Sequence, residues 1–317
     1  MKRREFLRNS ATLALGTMLM PQISSWANAE TTRRGPKLGL TTYMIGRGWT
    51  IPELIKHLTP LGLLGVELRT EAQHAHGVEL SLNKTQRSEI RKQFKDSPLE
   101  LVGIACSDEY NSPDPAVLKK SIESTKEYLQ FCADLGTSGL RVRPNNFPKE
   151  GNIPQEKTLE QIADSLRTLA PIAQSLNVEI RVEAHGSVGT LPNMETIAKN
   201  VNHPMVTVLL NSDLRDTEGD GLLANLKKVQ PYLSTTVHLN DLTAQKFTDV
   251  KFYEIQMAFL RSIHWSGWCL LEIGDKEDTA ARIEELTRQR QRWDELMSAG
   301  QRRRPALRSF IQRIRNA

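Results

Sequence analysis

Residues 178–186, VEIRVEAHG, alternate apolar and charged side chains and then end on a histidine and a glycine. Alternation with a period of two predicts a β-strand whose two faces meet different surroundings. The apolar face is valine and isoleucine, and the other face carries Glu179, Arg181 and Glu183. Charges on a strand that otherwise has a buried pattern are costly unless they are paired or bind an ion. The segment therefore predicts a buried strand with a polar interior on one side.

Residues 37–274 contain eight segments that predict strands, including this one. The predicted strands are 37–45, 65–70, 99–107, 139–144, 178–185, 206–213, 234–241 and 268–274. Apolar residues spaced three and four apart predict helices between them, at 51–61, 84–94, 115–135, 159–176 and 249–263. Alternating strands and helices favour parallel strands. Eight such units over about 240 residues predict an α/β fold, a closed (β/α)8 TIM barrel.

The two ends of the chain differ from this body. Residues 1–29 combine a basic start containing Arg3-Arg4, an apolar run at 11–20 and the triplet Ala27-Asn28-Ala29. This order is typical of a signal peptide and resembles the twin-arginine type, with a disordered basic tail as the alternative. We therefore expect the barrel at 37–280 to be exported through the Tat translocon to the periplasm or beyond. Residues 281–317 are expected to form a basic helical extension that packs on the barrel or on a second subunit, which leaves homo-oligomerisation open.

Composition excludes several classes of protein. The chain has 317 residues, 39% of them hydrophobic, and a net charge of +5. Residues 2–8 carry +3 and residues 302–315 carry +6, so the remainder carries −4 and gives no reason to expect a nucleic-acid partner. The run at 11–20 is too short for a permanent membrane span. Three widely spaced cysteines predict buried free thiols rather than disulfides: Cys106, Cys132 and Cys269.

Polar residues lie at the ends of the last four predicted strands. Glu183, Asn211, His238 and Glu272 fall where TIM barrels build their active sites, at the carboxyl ends of the strands. Carboxylates, an imidazole and an amide oxygen suit Mn²⁺, Mg²⁺, Co²⁺ or Zn²⁺. Asp213, two residues after Asn211, shares its face and is an equal candidate ligand. An internal salt-bridge lattice is the alternative, pairing Arg141, Arg143 and Arg181 with Glu67, Glu179 and Glu183.

Four short motifs give the chain a family resemblance: Gly-Val-Glu-Leu-Arg at 65–69, Val-Glu-Ala-His-Gly at 182–186, Val-His-Leu-Asn-Asp at 237–241 and Leu-Leu-Glu-Ile at 270–273. Their order and strand positions resemble the xylose isomerase-like TIM-barrel family of sugar phosphate isomerases and epimerases. The resemblance implies that Glu183, His238 and Glu272 bind a divalent metal ion. It also shows a departure, because Asn211 stands where the family usually has an acid.

The resemblance implies an exported metal-dependent isomerase or epimerase of a ketose or related small carbohydrate. The ion would chelate two adjacent oxygens of the substrate and stabilise an enediolate, with Glu183 and Glu272 transferring protons. Further residues are expected to bind substrate: Glu67, Arg141, Arg143, His185, His74 and His76. As alternatives to substrate binding, the two loop histidines could bind a second metal ion or simply be polar residues of a surface loop. Tyr43 and Trp49 are candidates for stacking on a sugar ring or for packing.

Three other functions remain open on the sequence. A carbohydrate lyase or dehydratase would use the same enediolate to expel a hydroxyl group. A non-catalytic sugar-binding barrel is suggested by the uncharged Asn211. The endonuclease-like branch of the family is disfavoured, because these strand ends carry few histidines and because export would remove the enzyme from DNA.

Overall fold

The computed structural model describes residues 35–302 of the chain, with side chains to residue 298. The predicted signal peptide, residues 1–29, and the last part of the predicted extension lie outside the described residues. Eight parallel strands alternate with helices in this part of the chain, which confirms the (β/α)8 TIM barrel. Within the described residues, no helix has the length and apolar character needed to cross a membrane.

The strands form one sheet in the order β6-β5-β4-β3-β2-β1-β8-β7. They are β1 Lys37–Thr41, β2 Gly65–Arg69, β3 Glu100–Ala105, β4 Gly139–Val142, β5 Glu179–Glu183, β6 Val206–Leu209, β7 Thr236–Leu239 and β8 Trp268–Leu271. The two edge strands approach each other through single hydrogen bonds: Ser234 N donates to Val208 O at 2.9 Å, and His238 N donates to Leu210 O at 2.8 Å. The sheet is therefore a nearly closed barrel.

The helices surround the sheet and present their apolar faces to it. They are α1 Ile51–Leu58, α2 Lys84–Lys95, α3 Pro115–Leu135, α4 Gln155–Leu176, α5 Leu191–Val201, α6 Leu222–Val229, α7 Gln245–Asp249, α8 Phe252–Ser262 and α9 Thr279–Arg302. Local sequence sets several ends. Thr50 and Glu53 form a capping box at the start of α1, and Gly136 ends α3 with a φ of 75°. α5 and α6 were not among the helices predicted from the sequence.

The last described helix belongs to the barrel. In α9, Leu286, Trp293 and Leu296 are buried. The side chain of Gln289 bonds to the loop after β7, accepting from Leu242 N at 2.9 Å and donating to Asp241 Oδ1 at 2.6 Å. The described part of the predicted extension therefore packs on the outside of the barrel, one of the two expected arrangements, as the helix of the eighth βα unit.

The observed strands end earlier than predicted at their carboxyl ends. β6 ends at Leu209 rather than at residue 213, and β7 ends at Leu239 rather than at residue 241. After β6 the backbone turns, with Ser212 at a φ of 47° and a 3-10 turn at Leu214–Thr217. Asn211 and Asp213, which the pattern placed in the sixth strand, thus belong to a loop at the barrel mouth, where backbone and side chains can converge on a ligand.

The amino-terminal half of the barrel interior holds a buried ion pair. Arg181 is fully buried, and its Nε donates to Glu179 Oε2 at 2.8 Å. Its other nitrogens donate to Val102 O at 2.7 Å and to the hydroxyls of Ser138 and Thr235, each at 3.0 Å. Because these hydrogen bonds hold the guanidinium in place, Arg181 and Glu179 form one part of the salt-bridge lattice that the sequence suggested. A second part, the ion pair of Arg141 with Glu183, lies at the carboxyl ends of the strands.

Alanine at Gly139 should destabilise the protein. A Cβ at this position would lie 2.1 Å from Arg181 Cζ, and the bonded guanidinium cannot move without losing Glu179. We expect G139A to lower the free energy of unfolding by about 3 to 5 kcal/mol in urea titrations, the usual cost of breaking a buried ion pair. The control is G274A, whose Cβ would meet nothing within 4 Å and should change stability by less than about 1 kcal/mol. Equal effects of the two variants would contradict this role of the pair.

Candidate metal centre

The imidazole of His238 is the centre of a buried cluster of carboxylates at the carboxyl ends of the strands. Its Nε2 lies 2.9 Å from Glu67 Oε1. Its Nδ1 lies 3.1 Å from Glu183 Oε1 and 3.3 Å from Glu272 Oε2. The four side chains come from β2, β5, β7 and the residue after β8, so the barrel closure itself brings them together.

Glu183 is further held by Arg141 of β4. Its Oε2 forms an ion pair with Arg141 Nη2, and both side chains are almost completely buried. Arg141 Nη1 also donates to Cys106 O at 3.1 Å, which fixes the guanidinium against the end of β3. Glu183 therefore has one oxygen turned to Arg141 and the other turned to His238.

The cluster shifts the titration of its members. Burial disfavours the charged imidazolium, but the Glu67 charge and the three carboxylate hydrogen bonds outweigh it and raise the pKa of His238 well above its ordinary value. Burial alone would raise the pKa of Glu183, yet the Arg141 charge and the His238 hydrogen bond hold it below its ordinary value. Burial would also raise the pKa of Glu67, but the charge and hydrogen bond of His238, together with the Arg141 and Arg181 charges, lower it. Both glutamates are therefore carboxylates at neutral pH.

The cluster has the donor atoms and the charge to hold a divalent cation. Among the described residues, Glu183, His238 and Glu272 offer three ligand atoms within 4.8 Å of one another. Their separations from Nδ1 suit ligands placed about 2.1 Å from one ion, which lie about 3 Å apart. With a neutral imidazole, the carboxylates of Glu67, Glu183 and Glu272 face one guanidinium, that of Arg141, and leave two negative charges. A divalent ion would neutralise them.

The two candidate ligands that the sixth strand offers, Asn211 and Asp213, have different surroundings in the structure. Asn211 is half-buried, and no hydrogen-bond donor among the described residues reaches its buried Oδ1. Asp213 instead accepts from Arg215 N at 2.9 Å and Arg215 Nε at 3.0 Å, which caps the turn after β6. Asp213 is also outside the three-residue group of His238. An amide oxygen that lacks a partner fits a ligand role better than a carboxylate that is already paired.

Two residues expected to line a substrate pocket are buried supports instead. Glu67 has no exposed surface and lies against His238. Arg141 is 4% exposed and lies against Glu183. Strand alternation indicated correctly that both side chains point into the barrel. It could not give their depth, which depends on where the neighbouring strands end.

Arg143 and His185 lie nearer the opening, in a polar network between the loops after β4 and β5. Arg143 Nη2 pairs with Glu109 Oε1 at 3.2 Å, and Asn145 Nδ2 donates to the same carboxylate at 2.8 Å. Asn145 Oδ1 lies 3.2 Å from His185 Nδ1. The sequence analysis missed Glu109 and Asn145. The Asn145-Asn146 pair, directly after the fourth strand, was a signal for a polar loop at the mouth.

The loop histidines have different surroundings. His76 accepts from Val78 N through Nδ1 at 3.0 Å, and its Nε2 lies 3.1 Å from Arg69 O, so both nitrogens hold the loop after β2. Burial, with the nearby His74 charge, lowers the pKa of His76 to about 4. His74 is buried, and its Nδ1 has no hydrogen-bond partner among the described residues. A substrate or metal role therefore remains a prediction for His74, while His76 is engaged within the fold.

The two aromatic residues that were candidates for stacking on a sugar ring differ in their exposure. Trp49 is 1% exposed, and its Nε1 donates to Thr279 Oγ1 at 3.2 Å, so it packs α9 onto the barrel. Tyr43 is 43% exposed in the loop after β1. Of the two rings, Tyr43 alone is open to a sugar.

Sequence comparison identifies one family. The family model described as xylose isomerase-like TIM barrel matches residues 55–295. No curated protein matches the chain. The matched range contains all four side chains of the His238 cluster.

Solved structures with the same fold include sugar epimerases. The 3-keto-D-glucoside 4-epimerase YcjR of E. coli has a TM-score of 0.64 and 16% identity, covering 81% of this chain and 99% of its own. The D-psicose 3-epimerase of Clostridium cellulolyticum H10, solved with D-tagatose, has a TM-score of 0.64 and 16% identity, covering 82% and 98%. The IolI protein, solved with a binding zinc atom, has a TM-score of 0.67 and 17% identity, covering 83% and 98%. At these identities the likeness shows the fold.

Metal affinity should increase with pH. The carboxylates around His238 raise its pKa, so a metal ion must displace the Nδ1 proton before it binds. We expect the apparent Zn²⁺ dissociation constant to fall about tenfold per pH unit from about pH 6 to about pH 8, with about one proton released per ion. Calorimetric titrations in two buffers of different ionisation enthalpy measure both quantities. An affinity independent of pH would show that Nδ1 carries no proton to displace.

Proposed function

Because the chain belongs to the xylose isomerase-like TIM barrel family, we propose that it is a divalent-metal-dependent isomerase or epimerase of a ketose or related carbohydrate. The observation that carries the proposal is the buried His238 cluster, in which three carboxylates face one guanidinium at the active-site end of the barrel. Sugar epimerases among the structural neighbours and a zinc atom in IolI support it.

Four side chains would hold the metal: Glu183, His238, Glu272 and Asn211. When bound, a divalent ion polarises a substrate carbonyl and stabilises the negative charge that develops when the neighbouring carbon loses a proton. Which of Mn²⁺, Mg²⁺, Co²⁺ or Zn²⁺ is used depends on supply as well as on these ligands. Asn211 brings an oxygen without charge, and the Glu67 carboxylate behind His238 compensates for the missing negative charge.

The two glutamates that face His238 Nδ1 would transfer the protons. Glu272 is 11% exposed and has no arginine partner among the described residues, so its carboxylate can meet substrate and remove the proton next to the carbonyl. Glu183, a carboxylate at neutral pH, would take up a proton from solvent and deliver it to carbon, while Glu272 would release its proton to solvent. Delivery to the opposite face of the same carbon inverts that centre, and delivery to the adjacent carbon isomerises the sugar. The same proton removal precedes loss of a hydroxyl in a lyase, which the product distinguishes.

Residues nearer the opening would bind the sugar. Arg143, His185 and Asn145 form one polar wall, and Tyr43 lies exposed after β1 as a surface for stacking. Carbohydrate sites combine such hydrogen-bonding groups with an aromatic face. His74 is a further candidate because its Nδ1 is buried without a partner among the described residues.

The proposal includes export of the protein, on the basis of the sequence of residues 1–29. A twin-arginine signal would bring the Tat translocon into play and deliver the folded barrel, with its metal already bound, to the periplasm or beyond. Folding before export fits a site whose ligands come from strands far apart in the sequence.

Replacement of Glu272 should abolish proton exchange. Wild type is expected to catalyse solvent deuterium incorporation into at least one ketose of a panel, measured by NMR at saturating Mn²⁺, Co²⁺ or Zn²⁺. E272Q removes the base and should lower that rate by at least about 100-fold. E277Q, at an exposed glutamate in the same loop, is the control and should retain wild-type exchange. Wild-type protein that binds metal and sugar without exchange would contradict the enzyme and favour a sugar-binding barrel.

Two variants after β6 should identify the fourth ligand. N211A removes the unpartnered amide oxygen and should weaken Zn²⁺ binding by about 10-fold or more. D213N keeps the shape of a side chain that is already bonded to Arg215 and should bind Zn²⁺ within about twofold of wild type. Competition with a chromogenic chelator gives both dissociation constants. The reverse order of effects would assign the ligand to Asp213.

A further inference from the structure

The side chain of Glu67 has no access to substrate, yet it contacts the most central residue of the site. Its Oε1 lies 2.9 Å from His238 Nε2, and the side chain is fully buried. A carboxylate can only accept a hydrogen bond, so the contact requires a proton on Nε2. With Nε2 protonated, the neutral imidazole carries its lone pair on Nδ1, the nitrogen that faces Glu183 and Glu272.

Fold stability gives little reason for a carboxylate at this position. No hydrogen-bond donor among the described residues reaches Glu67 Oε2, although that atom is buried. Burying a carboxylate costs several kcal/mol, and well-packed apolar side chains often replace buried ion pairs without loss of stability. Glu67 thus retains a half-satisfied charge where an apolar residue would fill the space.

The neighbouring strand makes room for this carboxylate. A Cβ at Gly103 of β3 would lie 3.1 Å from Glu67 Oε2 and 2.8 Å from Arg181 Nη1. Glycine at 103 therefore lets Glu67 lie behind His238 while Arg181 stays with the lower ion pair. The backbone of β3 accommodates a side chain whose one hydrogen bond to the described residues is with His238.

We propose that Glu67 is a positioning residue: its buried carboxylate accepts from His238 Nε2 and so directs the Nδ1 lone pair of His238 to the metal. The proposal rests on the proposed function, because it gives Glu67 a role only if His238 binds a metal ion. Carboxylate partners of metal-binding histidines fix the tautomer and raise the basicity of the ring, and their loss typically costs 10- to 100-fold in affinity. Glu67 also supplies negative charge that the neutral Asn211 does not.

The test is the isosteric variant E67Q. Its amide can turn either an oxygen or an N–H toward Nε2, so the selection of the tautomer and the negative charge are both lost. We expect the Zn²⁺ dissociation constant, from chelator competition, to rise about 10- to 100-fold while circular dichroism is unchanged. In zinc-loaded, ¹⁵N-histidine-labelled protein, the Nε2–H proton of His238 should move upfield relative to wild type, because its acceptor is no longer charged.

E179Q is the matched control, since Glu179 is also a buried interior glutamate but pairs with Arg181 in the lower half of the barrel, away from His238. It should lower the melting temperature but leave the Zn²⁺ dissociation constant within about twofold and the His238 proton shift unchanged. E67D, which retains the charge but is shorter, should bind Zn²⁺ with an affinity between those of wild type and E67Q.

Three outcomes would overturn the proposal, and they differ from one another. Wild-type affinity in E67Q would exclude a positioning role while leaving the metal site in place. Equal losses in E67Q and E179Q would show that loosening of the barrel, rather than the contact with His238, weakens binding. Wild-type protein that binds no Zn²⁺, Mn²⁺ or Co²⁺ would contradict the proposed function and this proposal with it.

Discussion

One buried imidazole determines the arrangement of the barrel mouth. His238 lies between Glu67 on one side and Glu183 and Glu272 on the other, with separations of 2.9 to 3.3 Å. Carboxylates this close repel one another in a medium of low dielectric constant unless positive charge lies between them. The Arg141 guanidinium supplies part of that charge. The rest comes from the protonated imidazole or, once an ion has displaced the Nδ1 proton, would come from a divalent cation. The spacing of β2, β5, β7 and β8 around the barrel makes such a cluster possible.

The barrel interior contains two groups of polar side chains, a lower level around Arg181 and Glu179 and an upper level around His238, and the two differ in how completely they are hydrogen-bonded. In the lower level, Arg181 and Glu179 bond to each other and to five further groups, so the pair is fully satisfied and structural. In the upper level, one oxygen of Glu67 and the amide oxygen of Asn211 have no partner among the described residues. Unsatisfied buried oxygens persist in a folded protein when a ligand or a function requires them. β5 contributes to both levels. Its Glu179 and Arg181 belong to the structural lower level, and its Glu183 belongs to the candidate site.

Strand alternation predicted which polar side chains point into the barrel, because side-chain direction along a strand depends only on neighbouring residues. A parallel strand turns alternate side chains to opposite faces, so the inward direction of Glu67, Glu183 and His238 can be derived from their neighbours in sequence. The prediction of Glu183, His238 and Glu272 as neighbours follows from barrel closure. The sequence pattern did not separate an arginine near the opening from a buried one, and Arg141 and Arg143 are only two positions apart. Their depth depends on where β3, β4 and β5 end relative to one another.

The sequence alone is enough to predict eight βα units, a polar inner face of the strands, and acids and a histidine at the ends of the later strands. These features follow from periodicity and from the cost of burying charge, which operate within a few residues of one another. The folded barrel was needed to show that Glu67 lies behind His238 and that Asp213 is paired with Arg215. It also shows that Trp49 is buried against α9. These positions depend on contacts between residues far apart in the chain, such as Glu67 and His238. A local sequence pattern cannot predict such contacts.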